Sequence, residues 1–384
     1  MQKKSGHKTI VTLKTVPKIL IIQTAFLGDV ILALPVVQTL KKLLPDAFID
    51  FICIPQTADV LLNNLHLRKV IVYDKKGRGK ASKLFNVISR VRRERYDIVI
   101  CPHRSLRSAL ITYFSKARIK VGFDKNALPF LLNRKVPYVQ SKHEIQRNLD
   151  LIRNLPGINF GDDAAVLKPK LFPSHNDEIF IEKLLDTMNL KNSALSEPVA
   201  LPAPVEGSKD PALSGAEGLI VLAPCSKWFT KRLTGNKSVE IIKRLIASGF
   251  RVVLIGSADD RPYCKEVEKL VSNSSLINLC GNLTPLQSAV LIGKSKCLIT
   301  VDSAAAHLGA STDTPIVQIY GSTVPAFGFY PLTSKNIIIE NNSLDCRPCT
   351  DHGRTSCPLK HFKCIEDIDP GEVIEAVKKL INKS

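Results

Sequence analysis

Short runs rich in Ile, Val and Leu alternate along this chain with amphipathic segments of helical period, and no other feature limits the fold as strongly. Each run suits a buried strand and each amphipathic segment suits a crossover helix, so the alternation specifies βαβ units around a parallel sheet. The pattern occurs twice. In the first half the predicted strands are KILIIQ (18–23), FIDFICI (48–54), KVIVY (69–73) and YDIVIC (96–101), with helices predicted over Asp29–Leu43 and Lys80–Arg93. In the second half LIVLAP (219–224), RVVLIG (251–256), CLITV (297–301) and PIVQIY (315–320) alternate with helical patterns near 236–248, 259–271 and 284–292.

With 384 residues, 45% of them hydrophobic, the chain can bury one core for each half. The expected order is a basic N-terminal extension (1–17), then a Rossmann-like domain (18–170), then an interdomain segment (171–218). That segment holds a helix near 175–190 and a Pro/Ala/Ser/Gly-rich linker or insert. A second Rossmann-like domain (219–369) ends in a Cys-rich tail, and the amphipathic segment 370–384 forms a helix able to pack on either domain. The fold class expected is α/β, two doubly wound domains facing each other across a central cleft.

Lys plus Arg number 54 against 35 Asp plus Glu, a net charge of +19 that favours anionic partners. Nucleic acid is a poor fit: no basic helix carries interleaved aromatics, and aromatics are only 6% of the residues. The N-terminus lacks the apolar run of a secretory signal and no stretch reaches the length of a membrane span, so the expected location is cytoplasmic. Of ten cysteines, Cys53, Cys101, Cys225, Cys264, Cys280 and Cys297 fall singly in apolar or helical patterns, which suits buried reduced thiols.

Three segments carry candidate chemistry. QTAFLGDVILALP (23–35) ends a strand, turns at Gly28 and enters a helix at Asp29, at the sheet edge where such folds bind ligands. Asp29 is either a helix cap or a base aimed into the cleft, and on pattern alone capping is the commoner role. LAPCSKWFTKRL (222–233) delivers Ser226, Lys227, Thr230, Lys231 and Arg232 to a loop that suits a diphosphate, the alternative being a solvated basic loop. ITVDSAAAHLGAS (299–311) ends a strand at Asp302 and opens a helix on small residues that let an anion approach its amides. Asp302 is read either as a sugar-hydroxyl ligand or as an N-cap, and His307 as either a site residue or a core histidine.

Taken in order, KILIIQTAFLGDVILALP, PCSKWFTKR, GSADD, LCGNLTPLQSAVLIGKSKCLITVDSAAAHLGA and PIVQIYGST resemble glycosyltransferase family 9, the ADP-heptose heptosyltransferases, over nearly the whole chain. CPHRSLRSAL (101–110), HEIQRNLDL (143–151) and the Cys-rich tail look closest to the heptosyltransferase II branch. The resemblance implies a GT-B fold and an inverting, metal-independent transfer without a cofactor. The donor would be ADP-L-glycero-D-manno-heptose in the C-terminal domain, and the acceptor a lipid A–Kdo–heptose at the N-terminal domain.

By position Asp29 matches the general base, which reverses the preference for a cap, and Lys231 matches the lysine at the departing diphosphate. Gly28, beside the base, is read as a donor-binding residue whose missing side chain permits close backbone approach. Ser226 matches a phosphate-contacting hydroxyl, and Asp302 matches the aspartate that holds donor sugar hydroxyls. Ser303 and Ala304, at the phosphate-facing helix start, and His307 after them are likewise read as donor-binding. Asp259 and Leu283 match ribose-binding and adenine-packing positions. Arg104 and Arg107, read as lying in a loop, suit carboxylates or phosphates of the acceptor, with plain solubility as the alternative. A basic protein with such an acceptor is expected to sit peripherally on the anionic inner face of the cytoplasmic membrane.

The chain departs from the family pattern at Cys225, where glycine is usual, at Leu233-Thr234 in place of Trp-Pro, and at Ala304 in place of glycine. Another nucleotide-sugar donor, or a non-catalytic sugar-binding homologue, is therefore the alternative. The retained Asp29, Lys231 and Asp302 argue against lost activity. No metal is expected in the site. The tail Cys346-x2-Cys349-x7-Cys357-x6-Cys364, with His352 and His361, has a spacing able to close around a structural zinc, the alternative being a loop of thiols.

Overall fold

The computed structural model describes residues 16–153, 155–156, 158–193 and 218–382. Most of the basic extension, the Pro/Ala/Ser/Gly-rich stretch from 194 to 217 and the last two residues of the predicted C-terminal helix lie outside the described residues. The chain divides into two compact units, Met1–Lys170 and Leu171–Ser384.

The first unit runs β1 (Lys18–Ile22), α1 (Leu27–Leu43), β2 (Phe48–Cys53), α2 (Asp59–Leu62), β3 (Lys69–Val72), α3 (Lys80–Glu94), β4 (Ile98–Cys101), α4 (Leu106–Phe114), β5 (Ile119–Phe123), β6 (Arg134–Val136) and α5 (Glu144–Arg153). Its six strands are all parallel, in the order β3-β2-β1-β4-β5-β6. The second unit runs α6 (His175–Ser193), β7 (Leu219–Ala223), α7 (Gly235–Ala247), β8 (Arg251–Leu254), α8 (Arg261–Val271), β9 (Leu276–Asn278), α9 (Pro285–Gly293), β10 (Cys297–Val301), α10 (Ala304–Thr312), β11 (Ile316–Tyr320), β12 (Asn336–Glu340), α11 (Lys363–Glu366) and α12 (Pro370–Ile381). Its sheet, again all parallel, has the order β12-β11-β10-β7-β8-β9, which is the same winding. Both are Rossmann-like, as the alternation predicts.

The central strands are apolar on both faces because helices cover both sides of the sheet; β1 and β7 are buried almost end to end. A buried acid interrupts β2. Asp50 accepts Nε of Arg68 at 2.9 Å and the hydroxyl of Tyr96 at 2.5 Å, so its charge is neutralised inside the first unit. Pro35 sits inside α1, where a proline supplies no N–H and strains the preceding turn. Asn148 of α5, wholly buried, donates its amide to the Leu32 carbonyl at 3.2 Å there.

Four strands escaped prediction. β6 and β9 are three residues each, β5 is interrupted by Lys120 and Gly122, and β12 is an edge strand with a half-buried pattern. In the second unit α6 packs on α9, with Glu182 paired to Lys294 at 3.0 Å, and α12 packs on α7 and on strands β10 to β12. The C-terminal helix therefore belongs to the second unit. All ten cysteines are free thiols, and the six scattered ones are buried. No helix among the described residues is long and apolar enough to cross a membrane.

Candidate active site

Strand order in the second sheet reverses between β7 and β10, so the loops leaving the carboxyl ends of these two strands meet. The loop after β7 carries Lys231 and the loop after β10 carries Asp302. Lys231 Nζ lies 2.8 Å from Asp302 Oδ2, with the two side chains 13% and 12% exposed. Thr323, buried after β11, donates its hydroxyl to the same oxygen at 2.7 Å. Ser226 is also buried and donates its hydroxyl to the Asp302 carbonyl at 3.2 Å.

Asp302 is not an N-cap. Ser303 caps α10, its hydroxyl accepting the Ala305 N–H at 3.4 Å, and Ala304 is the first helical residue. The aspartate stands one residue too early to cap and is left to pair with Lys231. His307 is buried within α10. The basic loop is solvated only in part: Lys227 is exposed, whereas Arg232 donates to the Ser226 carbonyl at 2.6 Å and pairs with Asp260 at 3.1 Å. Asp259 is exposed beyond β8 and Leu283 half-buried beyond β9. Their loops are joined where the Gly281 N–H meets the Gly256 carbonyl at 2.9 Å.

The support behind Lys231 comes from the Cys-rich tail, a link that the motifs did not signal. Thr230, buried, accepts the Arg354 N–H on its hydroxyl at 2.7 Å, and that hydroxyl pairs with Ser322 Oγ at 2.8 Å. Arg347 donates to the carbonyls of Gly321 at 2.6 Å and Thr323 at 2.9 Å, and pairs with Glu340 at 2.8 Å. Gly353 has φ +98°, and a Cβ there would stand 2.8 Å from Trp228 Cβ and 3.0 Å from Lys231 Cδ. Only a residue without a side chain lets the tail press on Lys231 this closely.

The zinc reading of the tail is not supported. Among the described residues no group of three or more His, Cys, Asp or Glu is placed to hold a metal ion. Arg347 and backbone hydrogen bonds tie the tail down instead, including Cys349 N–H to the Ser322 carbonyl at 2.9 Å. Burial, reinforced by the Cys349 thiol, pushes the Cys364 thiol up to about 12.

In the first unit the corresponding edge lies between β1 and β4. The helix α1 starts at Leu27, so Gly28 is its second residue rather than a turn, and Asp29 lies in its first turn. The Asp29 carboxylate accepts the Phe26 N–H at 3.2 Å, which is the capping contact. Three cations surround this edge. Lys75 Nζ donates to the Thr24 carbonyl at 2.6 Å, and Arg107 to the Lys75 carbonyl at 3.4 Å. Arg104 lies over the Tyr138 ring at 4.1 Å. Arg107 falls in the first turn of α4, not in a loop.

Burial and the neighbouring Arg107 and Lys76 lower the Lys75 ammonium, while Asp29 pulls it back up. His103 Nδ1 meets Thr24 Oγ1 and Ser108 Oγ, each at 2.9 Å, and burial together with Lys75 and Arg104 pushes it down to about 4. Behind the edge, Glu144 receives the Tyr138 hydroxyl at 3.1 Å and pairs with Arg147 at 2.7 Å. Burial raises Glu144 to about 7 against the pull of Arg147, and Asp29 adds to the rise. Lys75, His103, Tyr138 and Glu144 were not singled out in the sequence, although HEIQRNLDL (143–151) marked the segment that holds Glu144.

A glycosyltransferase family 9 (heptosyltransferase) model matches residues 84–360, more than half of the chain. The chain belongs to this family. Among curated family members, lipooligosaccharide heptosyltransferase 2 of Haemophilus influenzae is 26% identical over 381 residues, 95% of this chain and 99% of the relative. The family 9 glycosyltransferase of Veillonella parvula superposes with a TM-score of 0.79 at 20% identity, covering 98% of this chain and 100% of that one. Escherichia coli ADP-heptose lipopolysaccharide heptosyltransferase II gives 0.71 at 22% identity, over 95% and 99%. The family 9 chain thus has the GT-B class of fold, two Rossmann-like α/β units, and is a transferase of the heptosyltransferase family.

Proposed function

We propose that the chain moves heptose from ADP-L-glycero-D-manno-heptose to a lipid A–Kdo–heptose acceptor of the lipopolysaccharide inner core, in the manner of heptosyltransferase II. The observation that carries this reading is the Lys231–Asp302–Thr323 cluster at the switch point of the second sheet. A largely shielded ammonium beside a helix N-terminus is a site for a diphosphate leaving group, and a buried carboxylate is a ligand for sugar hydroxyls. Coverage of nearly the full length of a heptosyltransferase 2 relative supports the same reaction.

In this reading Asp29 takes the proton of the acceptor hydroxyl. The hydroxyl oxygen bonds to the anomeric carbon as the bond from that carbon to the β-phosphate oxygen breaks, and the configuration inverts. The electron pair leaves with ADP, and Lys231 with Ser226 meets the growing charge. Asp302, Ser303, Ala304 and His307 line the donor, with Asp259 and Leu283 at ribose and adenine. Gly28 lets the backbone approach the donor closely. Arg104 and Arg107 take acidic groups of the acceptor, joined by Lys75. Residues 18–170 form the acceptor domain and 219–369 the donor domain, and the protein works against the anionic inner face of the cytoplasmic membrane.

The donor is the point to test, since Leu233 and Ala304 depart from the family pattern. Purified protein offered ADP-heptose, ADP-mannose and UDP-glucose with the heptosylated Kdo-lipid A acceptor is expected to release nucleotide only from ADP-heptose. Turnover of another sugar in preference would replace the donor; turnover of none would favour a sugar-binding homologue.

A further inference from the structure

The positive charge of the chain is concentrated. Residues 75–123 hold fourteen Lys and Arg against two acids, an excess of twelve out of the net +19. Neither acid offers counter-charge to the surface. Glu94 is paired with Arg68 at 2.9 Å and Lys69 at 2.7 Å, and Asp97 is buried under the Lys18 N–H at 3.0 Å.

This segment builds α3 and α4, which pack side by side. The inner face of α3 is apolar: Val87 and Val91 are buried, and Leu84 and Ile88 pack on the same core. Its outer face mixes cations with bare apolar surface. Phe85 is 71% exposed, and a shallow groove runs from it past Ile88 to Arg92, Arg93 and Arg95. Beside it α4 leaves Leu106, Tyr113 and Phe114 exposed and contains no acid. Phe130, 73% exposed, stands in the turn that packs on α4.

We infer that the α3–α4 face is a docking surface for an anionic lipid surface. Arginines draw it to headgroups through Coulomb attraction, and exposed Phe, Leu and Tyr insert at the headgroup level, where rings and aliphatic chains lose contact with water. A nucleic acid would use the cations and could stack on the rings, but offers the exposed Leu106 nothing. The helix α3, roughly 22 Å long, begins on the side of the sheet where Lys75, Arg104 and Arg107 gather and ends at Arg92, Arg93 and Arg95, so the basic surface extends away from the acceptor edge along the helix. The inference rests on the proposed work at an anionic membrane face and names the surface that docks there, and its readout does not depend on transfer.

The test is sedimentation of the full chain with phosphatidylcholine vesicles, alone or with about one part in three of phosphatidylglycerol, at about 0.05 M and about 0.5 M salt. Binding is expected only to the phosphatidylglycerol vesicles and to weaken with salt. Reversal of two charges on α3, Arg92→Glu with Arg93→Glu, is expected to weaken it by roughly a hundredfold or more, and Phe85→Ser by roughly tenfold at both salts. The same reversal at the exposed Lys265 and Lys269 of α8 serves as control and is expected to change binding less than about twofold. Equal losses for both reversals, or binding indifferent to phosphatidylglycerol, overturn the inference. Loss of single-stranded oligonucleotide binding by the α3 variants with vesicle binding intact overturns it in favour of nucleic acid. ADP affinity, followed in every variant, reports on the donor site separately. A chain that binds vesicles through α3 but binds no ADP leaves this inference standing and removes the donor reading.

Discussion

Replacing Thr323 by Val should damage the site while leaving the fold intact. The two side chains have nearly the same shape, so no cavity opens in the buried pocket. What disappears is a 2.7 Å hydrogen bond from the Thr323 hydroxyl to Oδ2 of Asp302. Bonds to a charged acceptor stabilise by about 1.5–3 kcal/mol, and here the acceptor is mostly shielded from water, so a loss of about 2 kcal/mol is expected. For a unit of this size that lowers the melting temperature by about 4–8 °C. If Asp302 must hold its position for the donor sugar, the same loss slows transfer by roughly thirtyfold. Differential scanning fluorimetry and ADP release measure the two effects, and Thr323→Ser should restore both. A Val variant that melts within about 1 °C of the parent and turns over at its rate, or a Ser variant that fails to recover, refutes the reasoning.

Three further changes follow from the same geometry. Lys231→Ala should lower kcat by about 10²–10³-fold in steady-state ADP release while the acceptor KM holds, since the lysine acts on charge that develops as the diphosphate leaves. Gly353→Ala forces a Cβ against Trp228 and the Lys231 stem at a left-handed φ, so it should cost donor affinity and kcat together in calorimetric ADP titration and rate assays. His103 is held near 4, below its ordinary 6.5, so the folded state carries fewer protons than the unfolded one between those values. Its contribution is present above pH 6.5 and lost as the pH falls through 4. His103→Gln should therefore lose less stability than the parent over that window, by up to about 3 kcal/mol in urea unfolding.

The central strands were legible because burial on both faces leaves a continuous apolar run, as in KILIIQ and LIVLAP. The edge strands were not, because Arg134–Val136 and Leu276–Asn278 are too short to carry a period. Ser226, Lys231 and Asp302 could be assigned from sequence to strand-end loops and grouped by the family resemblance, whereas the strand order that makes those loops meet came from the fold. Their partners could not be assigned. Thr323 is one of many threonines until the fold brings it to Asp302, where Arg347 holds its carbonyl, and Gly353 lies against Lys231 from a tail more than a hundred residues away. The cysteine spacing drew the eye to zinc, whereas the tail is fastened by an arginine and backbone bonds. At Asp29 the pattern left cap and base open, and the Phe26 N–H contact realises the cap without deciding the second role.

Asp29 is where the account is tested most directly. ADP release from ADP-heptose, with a Kdo-lipid A acceptor already carrying one heptose, should be acceptor-dependent in the parent chain. It should collapse in Asp29→Ala while ADP affinity stays near the parent value and the melting temperature falls only by the roughly 2–4 °C that loss of the Phe26 N–H contact costs. Parent-like turnover in Asp29→Ala would contradict the assignment of the base, and no turnover by the parent with any donor or acceptor offered would contradict the transferase itself.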